Sequence, residues 1–370
     1  MAAKRKRVSE SVAGADADNL PASMPSIPAE FFQALPKVDL HRHLEGSLRL
    51  STLMDVGREY DLDLPDLDQL QPMVQVIQTD PRTSRNFLSK FEVLRKFYRS
   101  PEIITRITEE AIADAAADNV IYLELRFTPS TLGKAGNYPL GEVMDWVSAA
   151  AKEAQANYGI KIRLIPSVNR HESLDLAKQV AQVAADRHDS MIVGLDLAGD
   201  EANFSAAPFA PIFQEARQSG LKITIHAAEW GPAENITQAI ELFEADRIGH
   251  GVRVLEDQGV TTFVRDRDIT FEVCVTSNYQ SGVVAALDEH PLNRMILAGL
   301  NPTINTDDPG ISGITLGSEY ALARDIIGLT RTEIQDRITA AAQAAFLPID
   351  DRDNLVADLK QEFQDLSTSP

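Results

Sequence analysis

Cysteine is nearly absent from this 370-residue chain: Cys274 stands alone, so no disulfide can form within the chain. Nothing in the sequence is therefore adapted to an oxidising compartment. Basic residues are also in short supply, 35 Lys and Arg against 55 Asp and Glu, for a formal net charge of -20. Such a surface repels phosphate backbones and anionic lipid, which argues against nucleic-acid and membrane partners. No apolar run approaches the roughly 18 residues needed to cross a bilayer. The first residues carry a basic run at 4–7 and then turn polar and Ala-rich, without the apolar stretch of a secretory signal. Residues 1–35 read as a solvated, flexible tail, and the run at 4–7 as part of it rather than a nuclear address. The expected location is cytoplasmic.

From Pro36 onward short β-rich runs alternate with longer helical patterns. Strands are expected at 38–43, 121–127, 162–168, 191–197, 221–226, 247–250, 270–274 and 302–305. Helices are expected between them, as at 141–158, 173–187, 207–219 and 233–244, where apolar residues recur about every 3.6 positions. Alternation of this kind implies parallel strands with helical crossovers. Eight strands suggest a closed (β/α)8 TIM barrel in a single domain, 36–365. An open doubly wound sheet is the alternative, weakened by the lack of a glycine-rich loop after the first strand. The 77 residues between His43 and Ile121 exceed what one crossover needs. They are expected to hold extra helices, in which Phe87, Leu88, Phe91, Leu94 and Phe97 serve either as core packing or as a lid over the active face.

Seven histidines are present, and four of them fall on or at the ends of expected strands. His41 and His43 lie at i and i+2 on the first, so alternation points both rings to one face, with Asp39 beside them. Alone, a His-x-His pair is more often two unrelated side chains than half of a metal site. However, His226 and His250 end later strands, and the last strand runs into Asn305-Thr306-Asp307-Asp308-Pro309. In a barrel these carboxyl ends share one mouth. Adjacent carboxylates there are costly unless cations or donors neutralise them, although Asp-Asp-Pro is also good turn chemistry. His41, His43, His226 and Asp307 are accordingly expected to bind one zinc ion per chain, with water completing the shell. The fourth strand, 194–199, offers no lysine to bridge a second ion. Glu229, three residues past His226, is placed to act as a general acid if a dry pocket raises its pKa; otherwise it simply begins the next helix.

These residues resemble the adenosine and adenine deaminase family of the amidohydrolase barrels over 36–340. The likeness rests on Pro36-Lys37-Val38-Asp39-Leu40-His41-Arg42-His43-Leu44-Glu45-Gly46, on Asp196-Leu197-Ala198-Gly199-Asp200-Glu201, and on His226-Ala227-Ala228-Glu229. Arg247-Ile248-Gly249-His250-Gly251 and the 305–309 segment complete it. The resemblance implies a zinc-dependent hydrolase that replaces the 6-amino group of a purine with oxygen and releases ammonia. It implies that His250 orients or deprotonates the attacking water and that Asp308 holds that water. By the same resemblance Glu229 protonates the ring nitrogen beside the attacked carbon, while the N–H of Gly199 contacts another ring nitrogen. His43, Glu45, Gly199 and Asp308 would bind substrate.

Three positions depart from the family pattern. Glu45 stands where adenosine deaminases usually carry aspartate against the sugar, and where adenine deaminases often carry glutamate. Ala228 replaces a usual glycine, and Val275 a usual proline. Segments 308–316 and 271–278, with Glu319 and Tyr320, look more like the nucleoside enzymes. The expected substrate is therefore adenosine, a small-molecule purine nucleoside, with deoxyadenosine alongside it; adenine or a modified adenosine is the alternative. A non-catalytic binding module would have lost ligands, and none is lost here. The oligomeric state is left open.

Overall fold

A computed structural model describes residues 29–188 and 191–368. Most of the expected tail, with its basic run, lies outside the described residues. Residues 29–34, which composition places in that tail, form helix Ala29–Ala34, and Phe32 within it and Leu35 just after it are buried.

Eight strands follow in chain order: β1 (Lys37–His43), β2 (Val120–Phe127), β3 (Lys161–Asn169), β4 (Gly194–Ala198), β5 (Lys222–Ala227), β6 (Arg247–His250), β7 (Thr270–Val273) and β8 (Asn301–Ile304). Each pairs in parallel with the next in sequence. The ends of the sheet meet just past β8. There the His43 N–H donates to the Asp307 carbonyl at 2.8 Å, and the Asp307 N–H to that of His41 at 2.7 Å. With helices in the connections, this is the (β/α)8 barrel that the alternation implied.

Local chemistry sets the helix ends. Ser173 accepts from the Leu176 N–H to start Leu174–Asp186, and Gly159, at φ 69°, closes Leu140–Tyr158 in a conformation glycine adopts without strain. The fourth strand starts three residues later than its apolar run suggested. Residues 191–193 still follow β3, through Leu164 N–H to Met191 O and Val193 N–H to Leu164 O, but regular pairing begins only at Gly194.

The long first connection folds into helices Leu50–Glu59, Leu67–Val74, Ser84–Leu94 and Pro101–Ala117. Leu94 and Phe97 are buried in the core, whereas Phe87, Leu88 and Phe91 line the pocket at the barrel mouth. The helical stretch thus both packs and covers. None of the described helices is long and apolar enough to cross a membrane.

Charge fills much of the barrel interior. Glu124 and Arg126 share one face of β2, and Arg247 and Glu272 lie inside β6 and β7, all four fully or almost fully buried. Arg247 donates through Nε to Glu272 at 2.6 Å, through Nη1 to the Ala344 carbonyl at 2.7 Å, and through Nη2 to Glu124. Its guanidinium also lies 3.5 Å from the Phe346 ring centroid. Buried ions persist only when paired, and removing one partner strands the other. Arg247→Met should therefore cost about 3–5 kcal/mol, because Glu124 and Glu272 lose their shared cation. Urea unfolding checks this, and a loss below about 1 kcal/mol would mean the network is not holding the barrel.

Candidate active site

The mouth of the barrel is where the strand ends bring the histidines together. His41 and His43 project from β1, His226 from β5 and His250 from the end of β6. Ring centroids lie 5.2 Å apart for His41 and His43, 4.7 Å for His41 and His226, and 5.4 Å for His43 and His226. Asp307, just past β8, places Oδ1 3.3 Å from His41 Nε2 and 3.4 Å from His43 Nε2. One ligand atom from each of His41, His43, His226 and Asp307 falls within 4.8 Å of the others. Asp39 does not join them. An irregularity in β1 between Asp39 and Arg42 breaks the alternation, and Asp39 instead accepts from Arg42 Nε at 3.0 Å and Thr306 Oγ1 at 2.7 Å.

Carboxylates behind the rings decide which nitrogens face inward. Glu272 Oε2 is 2.8 Å from His41 Nδ1, and Asp196 Oδ1 is 3.0 Å from His226 Nδ1. A proton held on each Nδ1 leaves Nε2 with a lone pair toward the centre, the arrangement that orients imidazole for a metal. His41 Nε2 is buried with no hydrogen-bond partner. An inward lone pair, two further imidazoles and a carboxylate make a donor set that fits zinc or a similar first-row ion. Ser277 Oγ donates to Asp307 Oδ2 at 2.7 Å and holds that carboxylate in place. Burial alone would raise the pKa of Glu272, but Arg126, Arg247 and His41 outweigh it and keep the group well below the usual range.

The remaining carboxyl groups have the opposite character. Burial, reinforced by Asp307 and Glu201, pushes the Glu229 carboxyl well above its ordinary pKa and so favours its neutral form. It sits 3.6 Å from His250 Nε2. Burial, with Asp307 next, also raises Asp308, whose Oδ1 has no partner. Glu45 is pushed up to about 7 by burial, although its Oε1 accepts from the Thr128 N–H at 2.5 Å. Its Oε2 is buried and unpartnered.

The turns that carry these groups are strained. Ala228, His250 and Asp307 all have positive φ, at 52°, 58° and 63°. Non-glycine residues seldom adopt this region, and such strain gathers at functional sites. Glycine at position 228 would avoid it, which gives the family's preference there a physical reason. Glu201 holds the 228–231 turn: its carboxylate accepts the N–H groups of Ala228, Glu229, Trp230 and Gly231 at 2.7–3.0 Å, and the Asn235 amide at 2.7 Å. Val275 begins the short helix Val275–Gln280, a position where proline is well tolerated.

A cavity of 270 Å³ joins these groups to Phe87, Leu88 and Phe91, with Glu45, Gly199, Asp200, His171 and Trp230 around it. A larger cleft of 690 Å³ lies by Arg49 and Ser318, but no histidine lines it. Every site residue named from the sequence borders the smaller cavity except His41, which lies beneath it. The sequence alone assigns no role to Arg126, Asp196, Glu201, Glu272, Ser277 or Asn278. Charged residues inside short apolar strands were the available signal for three of them, since such residues are rarely buried unpaired.

The family model described as adenosine deaminase matches residues 36–362. The chain belongs to the adenosine deaminase family. An adenosine deaminase of Shigella flexneri serotype 5b (strain 8401) is 37% identical to this family member over 320 residues, 86% of this chain and 96% of the relative. Among solved structures, an Arabidopsis N6-mAMP deaminase superposes with a TM-score of 0.81 at 28% identity, over 90% of this chain and 99% of the other. An adenine deaminase from Arthrobacter aurescens gives 0.83 at 24% identity, over 89% and 99%, and speaks to the fold alone. As a member of the adenosine deaminase family, the protein is a hydrolase that deaminates adenosine-like substrates.

Gly46 offers a direct test of how the Asp308 carboxyl is placed. A Cβ built there would fall 1.8 Å from Asp308 Oδ1, so the carboxyl must move. If Asp308 takes part in the reaction, Gly46→Ala should lower kcat by roughly 100-fold, the cost of misplacing such a group by about 1 Å. Steady-state kinetics with a thermal melt to confirm folding check it; an unchanged kcat would place Asp308 outside the chemistry.

Proposed function

We propose that the protein catalyses hydrolytic deamination of adenosine, and of deoxyadenosine, to the corresponding inosine with release of ammonia. The observation that carries this reading is the convergence of His41, His43, His226 and Asp307 beside the buried Glu229, whose carboxyl burial pushes well above its ordinary pKa. In this proposal those four residues hold one zinc ion per chain. When bound, such an ion lowers the pKa of a coordinated water from about 15.7 to about 7 and so supplies a nucleophile at neutral pH.

The protein side chains do the rest. Glu229 gives its proton to the ring nitrogen adjoining the attacked carbon, where negative charge develops as the carbon–oxygen bond forms. The Gly199 N–H binds another ring nitrogen, which glycine permits by letting the backbone approach closely. Asp308 and His250 hold the attacking water in line. Phe87, Leu88 and Phe91 exclude bulk solvent, which strengthens each of these interactions. Water contributes the oxygen of the product, and the 6-amino group departs as ammonia.

Adenosine is preferred because the Shigella relative named adenosine deaminase is 37% identical along nearly its whole length. The cavity also disfavours phosphorylated substrates. Among the described residues that line it, Arg95 is the only arginine or lysine, against the carboxylates of Glu92, Asp200 and Asp307. Glu45 supports a second reading, deamination of free adenine or of a modified adenosine. Its longer side chain takes up sugar space, and its unpartnered Oε2 is free to meet a base edge. For a protein with this charge and no adaptation to disulfide chemistry, the proposed location is the cytoplasm.

Turnover of adenosine, deoxyadenosine, adenine, adenylate and N6-methyladenylate, followed through the purine absorbance, tests the substrate. The expected kcat/KM for adenosine exceeds that for adenine, which lacks the sugar hydroxyls, by roughly 10,000-fold, the scale set by matched polar contacts, and also exceeds that for the nucleotides. A preference for adenine would overturn the assignment. Dialysis against a chelator should abolish activity and zinc should restore it, while His226→Ala should lose zinc measured by elemental analysis. Full zinc content in His226→Ala would remove that residue from the ligand set.

A further inference from the structure

His250 is described above as holding water, but an imidazole in that place can either donate a hydrogen bond or accept a proton. Which it does depends on the nitrogen that carries its hydrogen. A chain of contacts behind the ring settles this from one backbone group that cannot be reversed.

The Leu292 N–H lies 3.1 Å from His290 Nδ1 and can only donate, so His290 Nδ1 accepts. The proton of neutral His290 is then on Nε2. That ring is 3% exposed, and burial, followed by the charge of Arg294, depresses its pKa to about 3, which keeps it neutral. His290 Nε2 faces the Asn278 side chain at 3.4 Å, so the atom it meets must be the amide oxygen. The amide nitrogen of Asn278 is thereby turned to the other side, 3.1 Å from His250 Nδ1. An amide N–H donates and a protonated Nδ1 would clash with it, so His250 Nδ1 is an acceptor. Both His250 and Asn278 are buried.

We infer that Asn278 and His290 are positioning residues that fix His250 as the Nε2-protonated tautomer, so that it faces the reacting centre as a hydrogen-bond donor. The Nε2–H points into a space bordered by carboxyl oxygens, Glu229 Oε2 at 3.6 Å and Asp307 Oδ2 at 3.9 Å. The Asp307 carboxylate suits a donor and would repel a bare lone pair. It follows that His250 orients the attacking water and does not remove its proton. It follows too that His250 is no metal ligand, because one ring nitrogen is protonated and the other is engaged by Asn278. The grouping of His250 with Cys274 and Asp307, whose ligand atoms also lie close together, is then not a metal site.

The tautomer rests on geometry alone, and only its role depends on the deaminase reading. The test is therefore read without substrate. Zinc-loaded enzyme labelled with 15N-histidine is examined by long-range 1H–15N correlation, and His250→Gln identifies the peaks of residue 250. The expected pattern has an unprotonated Nδ1 and a protonated Nε2. Asn278→Asp replaces the amide donor with a carboxylate acceptor, so it should move the proton to Nδ1 and reverse the pattern with zinc content unchanged. In the same variant kcat should fall by roughly 10-fold or more, as for other histidines held in the wrong tautomer, with KM changed by less than about threefold. A protonated Nδ1 in the wild-type spectrum would overturn the inference, as would an unaltered pattern in folded Asn278→Asp. If that variant does not fold, the wild-type spectrum decides alone.

Discussion

Two buried carboxylates joined by one guanidinium set the geometry on which everything else depends. Arg126 Nη2 lies 2.8 Å from Glu272 Oε2, and Nη1 lies 3.4 Å from Asp196 Oδ1. Glu272 orients His41 and Asp196 orients His226. A single cation thus ties together the groups that aim imidazoles from β1 and β5. Without it, Glu272 would keep Arg247 and His41, and Asp196 would keep His226 and Ser167, but the two carboxylates would lose the cation they share. The barrel interior is built for orientation more than for stability. Apolar packing of the same volume would often hold the strands as well, but it could not fix which ring nitrogen faces the mouth.

Above that layer the groups are fixed from outside the barrel. The short helix Val275–Gln280 presents Ser277 to Asp307 and Asn278 to His250. Glu319 accepts from the Thr276 N–H at 3.0 Å and from its hydroxyl, which anchors the start of that helix. Glu201 does the same for the 228–231 turn. Positive φ at Ala228, His250 and Asp307 can persist because these anchors over-determine the backbone around them.

The barrel was legible in the sequence because its strands and helices have distinct apolar periods and because turns separate them. The convergence of His41, His43, His226 and Asp307 followed from strand order, since residues at carboxyl ends must share a mouth. What escaped was local or long-range pairing that has no period. Asp39 left the histidine face because β1 has an irregularity, which alternation cannot express. The start of β4 at Gly194 reflects its pairing with β5, where Gly194 opposes Lys222. Asn278 and His290 sit 12 residues apart in a region with no strand signal, and their contact depends on a turn closing between them. Glu272 was visible as a charge within β7, but its partners lie 25, 146 and 231 residues away.

The central claim is that three imidazoles and one carboxylate enclose a single cation, with Cys274 and His250 left out. X-ray absorption at the zinc edge of the reconstituted enzyme tests it most directly. The expected spectrum shows only nitrogen and oxygen ligands at about 2.0–2.2 Å, with outer-shell scattering from three imidazoles. A sulfur scatterer at about 2.3 Å, or scattering from fewer than three imidazoles, would contradict it.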